Sequence, residues 1–391
     1  MSDIKILKKA MPVAPLKLVA LNSCSELGSQ VNQHIVGFRA RDNANENAFI
    51  NLTGYQESSY LVNASCPRFG TGEAKGIFHE SIRGTDLFIM VDVCNYSITY
   101  SVCGHENHMS PDDHYQDLKR IISAATGKAK RINVVMPFLY ESRQHKRTKR
   151  ESLDCAMALQ ELVNMGVSNI ITFDAHDPRV SNAVPLNGFD NFSAAYQFIK
   201  GLLHSVPDLE VDNEHLMVIS PDEGAMARAI YFSNVLGVDM GMFYKRRDYS
   251  TIVDGKNPIV AHEFLGSNVE GKNVIIIDDM ISSGESMLDT AKMLKERYHA
   301  SRVFVCTTFG LFSNGLDKFD QYYKQGYIDR VITTNLVYRT PELLSRPYYV
   351  EADMSKFLAS IIEALNHDVS IGLIHSPTEK IQQILSEFGH C

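Results

Sequence analysis

Residues Val274–Met287 read VIIIDDMISSGESM, and this stretch decides the fold. Val274, Ile275, Ile276 and Ile277 are apolar and β-branched with no polar alternation, as expected of a strand buried on both faces. Two adjacent carboxylates follow, Asp278 and Asp279. The small-residue loop Ser282-Ser283-Gly284-Glu285-Ser286 then runs into helical spacing through Lys295, with Met287, Ala291 and Leu294 on one side. A strand, a tight polar loop and a helix N-terminus suit an anion, because free backbone N–H groups and the helix dipole both face it. An acid pair at a strand end can accept hydrogen bonds from sugar hydroxyls. Ribose plus phosphate is therefore the ligand these residues fit. The same succession recurs throughout α/β proteins, and a Gly/Ser loop is often only a turn, so the pattern alone leaves both readings open.

A chain of 391 residues accommodates two domains and a large core. A formal charge of −8 argues against a general nucleic-acid binder, although local basic clusters can still hold small phosphorylated ligands. The seven cysteines form no CxxC pair and several lie in apolar runs, which points to buried free thiols and a reducing cytoplasm. No charged-then-apolar signal segment opens the chain, and no apolar run reaches membrane-spanning length. A cytoplasmic protein without a membrane partner is expected.

After an unassigned lead-in from Met1 to about Leu16, strand-like runs alternate with amphipathic helical patterns. Ile132–Pro137, Asn169–Phe173, Met217–Ser220, Val238–Tyr244, Val274–Ile277, Val303–Thr307 and Val331–Thr333 read as strands. Glu151–Met165 reads as a helix ended by Gly166. This alternation implies α/β architecture with mainly parallel sheets flanked by helices. A faint repeat relates Ala129–Val134 (AKRINV) to Ala300–Val305 (ASRVFV), each followed by a short strand. Two α/β halves of related design, or coincidence over few positions, would explain it.

Val274–Met287 resembles the phosphoribosyl-diphosphate (PRPP) binding motif shared by phosphoribosyltransferases and ribose-phosphate diphosphokinases. Four further segments resemble the diphosphokinase family. Arg68-Phe69-Gly70-Thr71-Gly72-Glu73, with Glu80-Ser81-Ile82-Arg83-Gly84 after it, is similar to the loop that reaches the ATP of a neighbouring subunit. Phe69 and Glu73 would contact adenine, and Arg83 is a candidate for the regulatory site. Pro137–Arg147 (PFLYESRQHKR) is similar to the family's Arg-Gln segment, so Arg143 and Gln144 would bind ATP. Phe173-Asp174-Ala175-His176 places His176 as a ligand of Mg2+. Ser220-Pro221-Asp222-Glu223-Gly224 makes Asp222 a contact for magnesium or the sugar phosphate. Lys245-Arg246-Arg247 follows, and Lys245 and Arg247 would close on the transferring phosphates as the catalytic cations. Taken singly, these segments also read as a Gly-rich hairpin, a solvated basic surface, a structural histidine and a turn. The five together stand in the family's order.

The resemblance implies two tandem type I phosphoribosyltransferase-like domains, 1–192 and 193–368, with a tail at 369–391. It implies transfer of diphosphate from Mg-ATP to ribose 5-phosphate. The sugar phosphate would be held by Asp222, Asp278, Asp279, Ser282, Ser283, Gly284, Glu285 and Ser286. It also implies a homo-oligomer, dimer to hexamer. Thr71, His145, Ser282 and Glu285 depart from the family's pattern. They leave open a non-catalytic regulatory subunit, a phosphoribosyltransferase that consumes PRPP, or a binding module without chemistry. Cys94–His114 is an insertion whose Cys103, His105, His108 and His114 read either as a polar surface loop or as a zinc set.

Overall fold

The computed structural model describes residues 7–42, 47–247, 259–374 and 377–388, the side chains of 245–247, 259–262 and 373–374 excepted. The chain divides into two compact units. One is Met1–Ser193 with Asn335–Tyr338 and Asp353–Ser376, and the other is Ala194–Thr334 with Arg339–Ala352 and Pro377–Cys391.

The first unit runs β1 (Leu16–Ala20), α1 (Ser25–Arg39), β2 (Ala64–Ser65), β3 (Ile77–Phe78), β4 (Asp86–Met90), β5 (Thr99–Val102), β6 (His105–His108), α2 (Pro111–Ala125), β7 (Arg131–Val135), α3 (Asp154–Asn164), β8 (Asn169–Phe173) and β9 (Gly188–Phe192). Its five-stranded sheet has the order β1-β4-β7-β8-β9, and every pairing is parallel. The central strands are largely apolar because helices cover both faces; all five residues of β4 are buried. Local chemistry sets the helix ends. Ser110 accepts the Asp113 N–H and Asp113 accepts the Ser110 N–H, a reciprocal cap with Pro111 next to it, so α2 starts there.

The second unit runs α4 (Ala195–Ser205), β10 (Leu216–Ser220), α5 (Met226–Leu236), β11 (Asp239–Arg247), β12 (Ile259–Leu265), β13 (Asn273–Ile281), α6 (Glu285–Glu296), β14 (Val303–Gly310), α7 (Asp317–Lys324), β15 (Arg330–Thr334), α8 (Pro341–Leu344) and β16 (Tyr349–Ala352). Its seven-stranded sheet has the order β12-β11-β10-β13-β14-β15-β16. Only the β11–β12 pair is antiparallel. Ile219, Val274, Ile276, Leu288, Ala291, Val305 and Phe319 belong to one buried core on this sheet.

The remaining helices cross back. α9 (Ser355–Asn366) and α10 (Ile371–Ile374) join the first unit, and α11 (Pro377–Glu387) joins the second. The cut at 192 falls one residue short of the break between Ser193 and Ala194, whereas the cut at 368 misses the return of Asn335–Tyr338 and Asp353–Ser376 to the first unit. α9 packs on α1, where Arg39 Nε meets Glu363 Oε1 at 2.8 Å with both side chains almost wholly buried. Removing one partner of such a pair costs about 3–5 kcal/mol, which ties α9 to the first unit. The expected tail is a helix instead, with Ile381, Ile384 and Leu385 buried.

The faint repeat is structural. β1-β4-β7-β8-β9 and β10-β13-β14-β15-β16 are the same parallel succession. Asp86 opposite Arg131 in one unit matches Asn273 beside Arg302 in the other. Arg131 Nε donates to Asp86 Oδ1 at 2.8 Å, and Arg302 Nε donates to Asn273 Oδ1 at 3.0 Å. The AKR and ASR segments thus do the same work, pinning the start of one strand to its neighbour.

Candidate functional site

In the second unit the sheet changes direction at β10: β11 lies on one side of it and β13 on the other. Ligands of open α/β sheets bind at the carboxyl ends of strands on either side of such a reversal. Two loops leave the sheet there, Pro221–Ala225 before α5 and Ser282–Gly284 before α6.

The strand does not end at Ile277. β13 continues to Ile281, with Asp278 opposite Thr307, Met280 opposite Phe309 and Ile281 opposite Gly310. The two acids are therefore strand residues on opposite faces of the sheet. Burial pushes the Asp278 carboxyl well above its ordinary range, reinforced by the charges of Asp279 and Asp222. The Asp279 N–H donates to Asp278 Oδ1 at 2.8 Å. Arg228 Nη2 stands 3.8 Å from Asp279 Oδ2. Three carboxylates thus crowd one strand end.

Asp222 also holds its own loop. Its Oδ1 accepts the Gly224 N–H at 2.9 Å and its carbonyl accepts the Ser220 hydroxyl at 2.6 Å.

Gly284 is the N-cap of α6, at φ 80° and ψ −5°, the left-handed region. A Cβ there would lie 2.4 Å from Phe319 Cζ, so glycine is required twice over. No side chain caps α6; the nearest acceptor, Ser283 Oγ, is a long 3.4 Å from the Glu285 N–H. The first-turn amides lie at the positive end of the helix dipole. The Glu285 carboxylate does not oppose an anion there, because Lys318 Nζ takes it at 2.7 Å and holds its carboxyl below the usual range. Glu285 can then offer a phosphate its backbone rather than its side chain. Ser282, Ser283 and Ser286 are half-buried around the turn.

Lys245 and Arg247 end β11, opposite His262 and Ile259. Their side chains, and residues 248–258 beyond, lie outside the described residues.

The first unit shows the same place without the equipment. Asp92 stands where the second unit has Asp279, by strand register. Its oxygens accept the N–H groups of Cys94 at 2.8 Å and Tyr338 at 2.7 Å. No small-residue loop follows it.

The first unit's candidates follow β7 and β8, which are neighbours. Arg143 is exposed, and Gln144 Nε2 donates to the Ser152 carbonyl at 2.9 Å. His145 and His176 stand with ring centroids 5.4 Å apart. His145 Nε2 lies 3.5 Å from Asp177 Oδ2, and Arg179 holds the Asp177 carboxyl far below its ordinary range. Phe69 is 53% exposed on a separate turn, and Glu73 accepts the Thr71 hydroxyl at 3.0 Å. No hydrogen bond or ion pair among the described residues links that turn to Arg143 or Gln144. Arg83 is exposed.

The insertion is not a loop but the hairpin β5–β6. Its zinc alternative fails on geometry. His114 is buried with Nε2 on the Asn95 carbonyl at 2.8 Å, and His108 Nδ1 is on the Tyr96 carbonyl at 2.7 Å. Among the described residues, ligand atoms of three His, Cys, Asp or Glu side chains converge only at the exposed Glu210, Asp212 and His215.

Residues 16–166 match the N-terminal domain of ribose phosphate pyrophosphokinase, and residues 190–336 match the phosphoribosyl transferase domain. The ribose-phosphate pyrophosphokinase of Vibrio parahaemolyticus is 30% identical over 319 residues, covering 80% of this chain and 90% of that protein. The chain belongs to the ribose-phosphate pyrophosphokinase family. The family's Vibrio cholerae member is 29% identical over 316 residues, 80% of this chain and 90% of its own. A crystal structure of phosphoribosylpyrophosphate synthetase from Mycobacterium smegmatis superposes with a TM-score of 0.69, covering 90% of this chain and 99% of that one. At 23% identity this likeness supports the fold.

Within this pyrophosphokinase family member, sequence reading missed three side chains of the site. Lys318 turns Glu285 outward, and Arg228 faces Asp279. Thr307, the register partner of Asp278, buries a hydroxyl that has no hydrogen-bond partner. Each comes from another element: strand register brings Thr307 beside Asp278, and helix packing brings Lys318 and Arg228. No helix among the described residues is long and apolar enough to cross a membrane.

Proposed function

We propose that the chain is a ribose-phosphate diphosphokinase that converts Mg-ATP and ribose 5-phosphate to PRPP and AMP. The C1 hydroxyl oxygen of the sugar attacks the β-phosphorus of ATP. The bond from that phosphorus to the oxygen bridging to the α-phosphorus breaks, AMP leaves with the bridging oxygen, and the hydroxyl proton is released. Such transfers need positioning and charge neutralisation more than covalent help from the protein. The amides of Gly284–Ser286 and the hydroxyls of Ser282, Ser283 and Ser286 bind the 5-phosphate. Asp278 and Asp279 orient the ribose hydroxyls. Phe69, Glu73, Arg143 and Gln144 serve ATP, with Phe69 and Glu73 reaching the nucleotide of a neighbouring subunit in a homo-oligomer. Lys245 and Arg247 neutralise charge on the transferring group.

Magnesium suits the donor set: Asp278 is crowded by two further carboxylates, and oxygen donors prefer a hard cation. Asp222 is the proposed holder in the second unit and His176 in the first. When bound, the ion offsets negative charge on the phosphates.

One observation carries this reading. A helix N-terminus without a side-chain cap, on a left-handed glycine, adjoins an acid pair in which burial and neighbouring carboxylates raise Asp278 well above its ordinary range. The duplicate position in the first unit has its acid bonded to two backbone amides. Purified protein mixed with Mg-ATP and ribose 5-phosphate is expected to release AMP and PRPP in equal amounts. No turnover, together with binding to an active relative, would mean a regulatory subunit; consumption of added PRPP with a nucleobase would mean a phosphoribosyltransferase.

A further inference from the structure

The inserted hairpin β5–β6 has no counterpart in the second unit and no part in the scheme above. It closes on a two-residue turn, Cys103-Gly104, with φ of 51° and 84°. That is the turn shape matching the right-handed twist of paired strands, and it asks for positive φ at both positions. Cysteine meets this demand only with strain, so something must hold it. The Cys103 N–H donates to the Gly70 carbonyl at 2.8 Å. The strained tip is thus fastened to the middle of the Phe69–Glu73 turn.

Two more contacts join the same two pieces, and two further hydrogen bonds tie them to α2. The Arg68 guanidinium lies 4.6 Å from the centroid of the Tyr100 ring. Arg68 Nη2 is also fixed by Asp117 Oδ2 at 2.9 Å, and the Tyr100 hydroxyl by Asp113 Oδ1 at 2.9 Å. Both anchors stand on α2, so the hairpin is tied to a helix packed by its apolar face on the core. Gly72, at φ 92°, sits so close that a Cβ would come within 3.0 Å of Val102 Cγ2. The turn is closed internally by the Phe69 N–H on the Glu73 carbonyl at 2.7 Å and the Gly72 N–H on the Phe69 carbonyl at 2.9 Å. Its backbone is therefore held from below while the Phe69 ring is left 53% exposed. An exposed ring on a fixed turn is a stacking surface whose ordering cost is met before any flat ligand arrives.

We infer that the hairpin Thr99–His108 is a brace that fixes the Phe69–Glu73 turn, making Tyr100 and Arg68 positioning residues for the adenine of ATP. This rests on the reading in which that turn contacts ATP, and goes beyond it by naming what orders the turn.

The test uses the full-length protein. Tyr100→Ala should raise amide hydrogen exchange across residues 69–73, measured without nucleotide, by about tenfold while the sheet strands keep their protection. It should raise KM for ATP by about tenfold and leave kcat within about twofold, since a disordered turn weakens binding rather than the chemical step. Tyr100→Phe keeps the ring over Arg68 and should restore most of both quantities. Should Tyr100→Ala fail to fold, Val102→Ala loosens only the seat of Gly72 and should move both readouts the same way by a smaller amount. Unchanged exchange would overturn the brace. Raised exchange with an unchanged KM would overturn its role in nucleotide binding. A Phe69→Ala variant that also keeps its KM would then place the fault in the ATP reading of the turn.

Discussion

Asp278 carries the charge conflict of the site. The unfolded chain releases this proton near the ordinary value of 3.8, whereas the folded chain holds it to higher pH. The folded state therefore binds more protons in the window above 3.8, and stability falls as pH rises through it. Asp278→Asn removes the conflict. The ligand-free variant should be more stable than the parent at pH 7 and lose that advantage as pH drops towards 3.8, where the parent is neutral too. Thermal melts across that range check this; a gain independent of pH would contradict it. The same variant should lose affinity for the sugar, because the site is strained in order to bind. The adjacent carboxylates were legible in the sequence. Their conflict was not, since Asp222 reaches Asp278 only through the parallel pairing of β10 with β13.

At the scale of elements, the turn into α6 is the part that cannot vary. Gly284→Ala meets both the left-handed backbone and Phe319, and should cost about 2 kcal/mol or more in urea unfolding, with a raised KM for ribose 5-phosphate. Parental values of both would mean that the turn has another shape. Elements were legible where periodicity was strong and blurred where side chains were polar. The run from Val274 to Ile277 announced a buried strand, but Asp278 and Asp279 looked like its end, because the covering strand β14 is invisible from this segment alone. The helix expected from Glu151 begins at Asp154, since Glu151 bonds back to Thr148. The hairpin Thr99–His108 read as a loop because its outer strand is four exposed polar residues, and only the bond of Cys103 to Gly70 shows its purpose.

At the scale of the whole chain, two units share one five-strand plan, and the contrast between them supports the proposed site. Arg131 and Arg302 preserve the shared plan, and the AKR and ASR segments made it faintly visible in the sequence. The crossing back of Ser355–Asn366 was not visible, because the Arg39–Glu363 pair joins residues 324 positions apart. Asp92 and Asp279 hold equivalent positions, yet α6 after Asp279 starts without a side-chain cap, whereas α2 after Asp92 is capped by Ser110. A crystal structure with ribose 5-phosphate tests this contrast directly. The phosphate is predicted on the amides of Gly284–Ser286, with ribose hydroxyls on Asp278 and Asp279. The sugar phosphate bound beside Asp92, or anywhere else with the start of α6 left empty, would contradict the account.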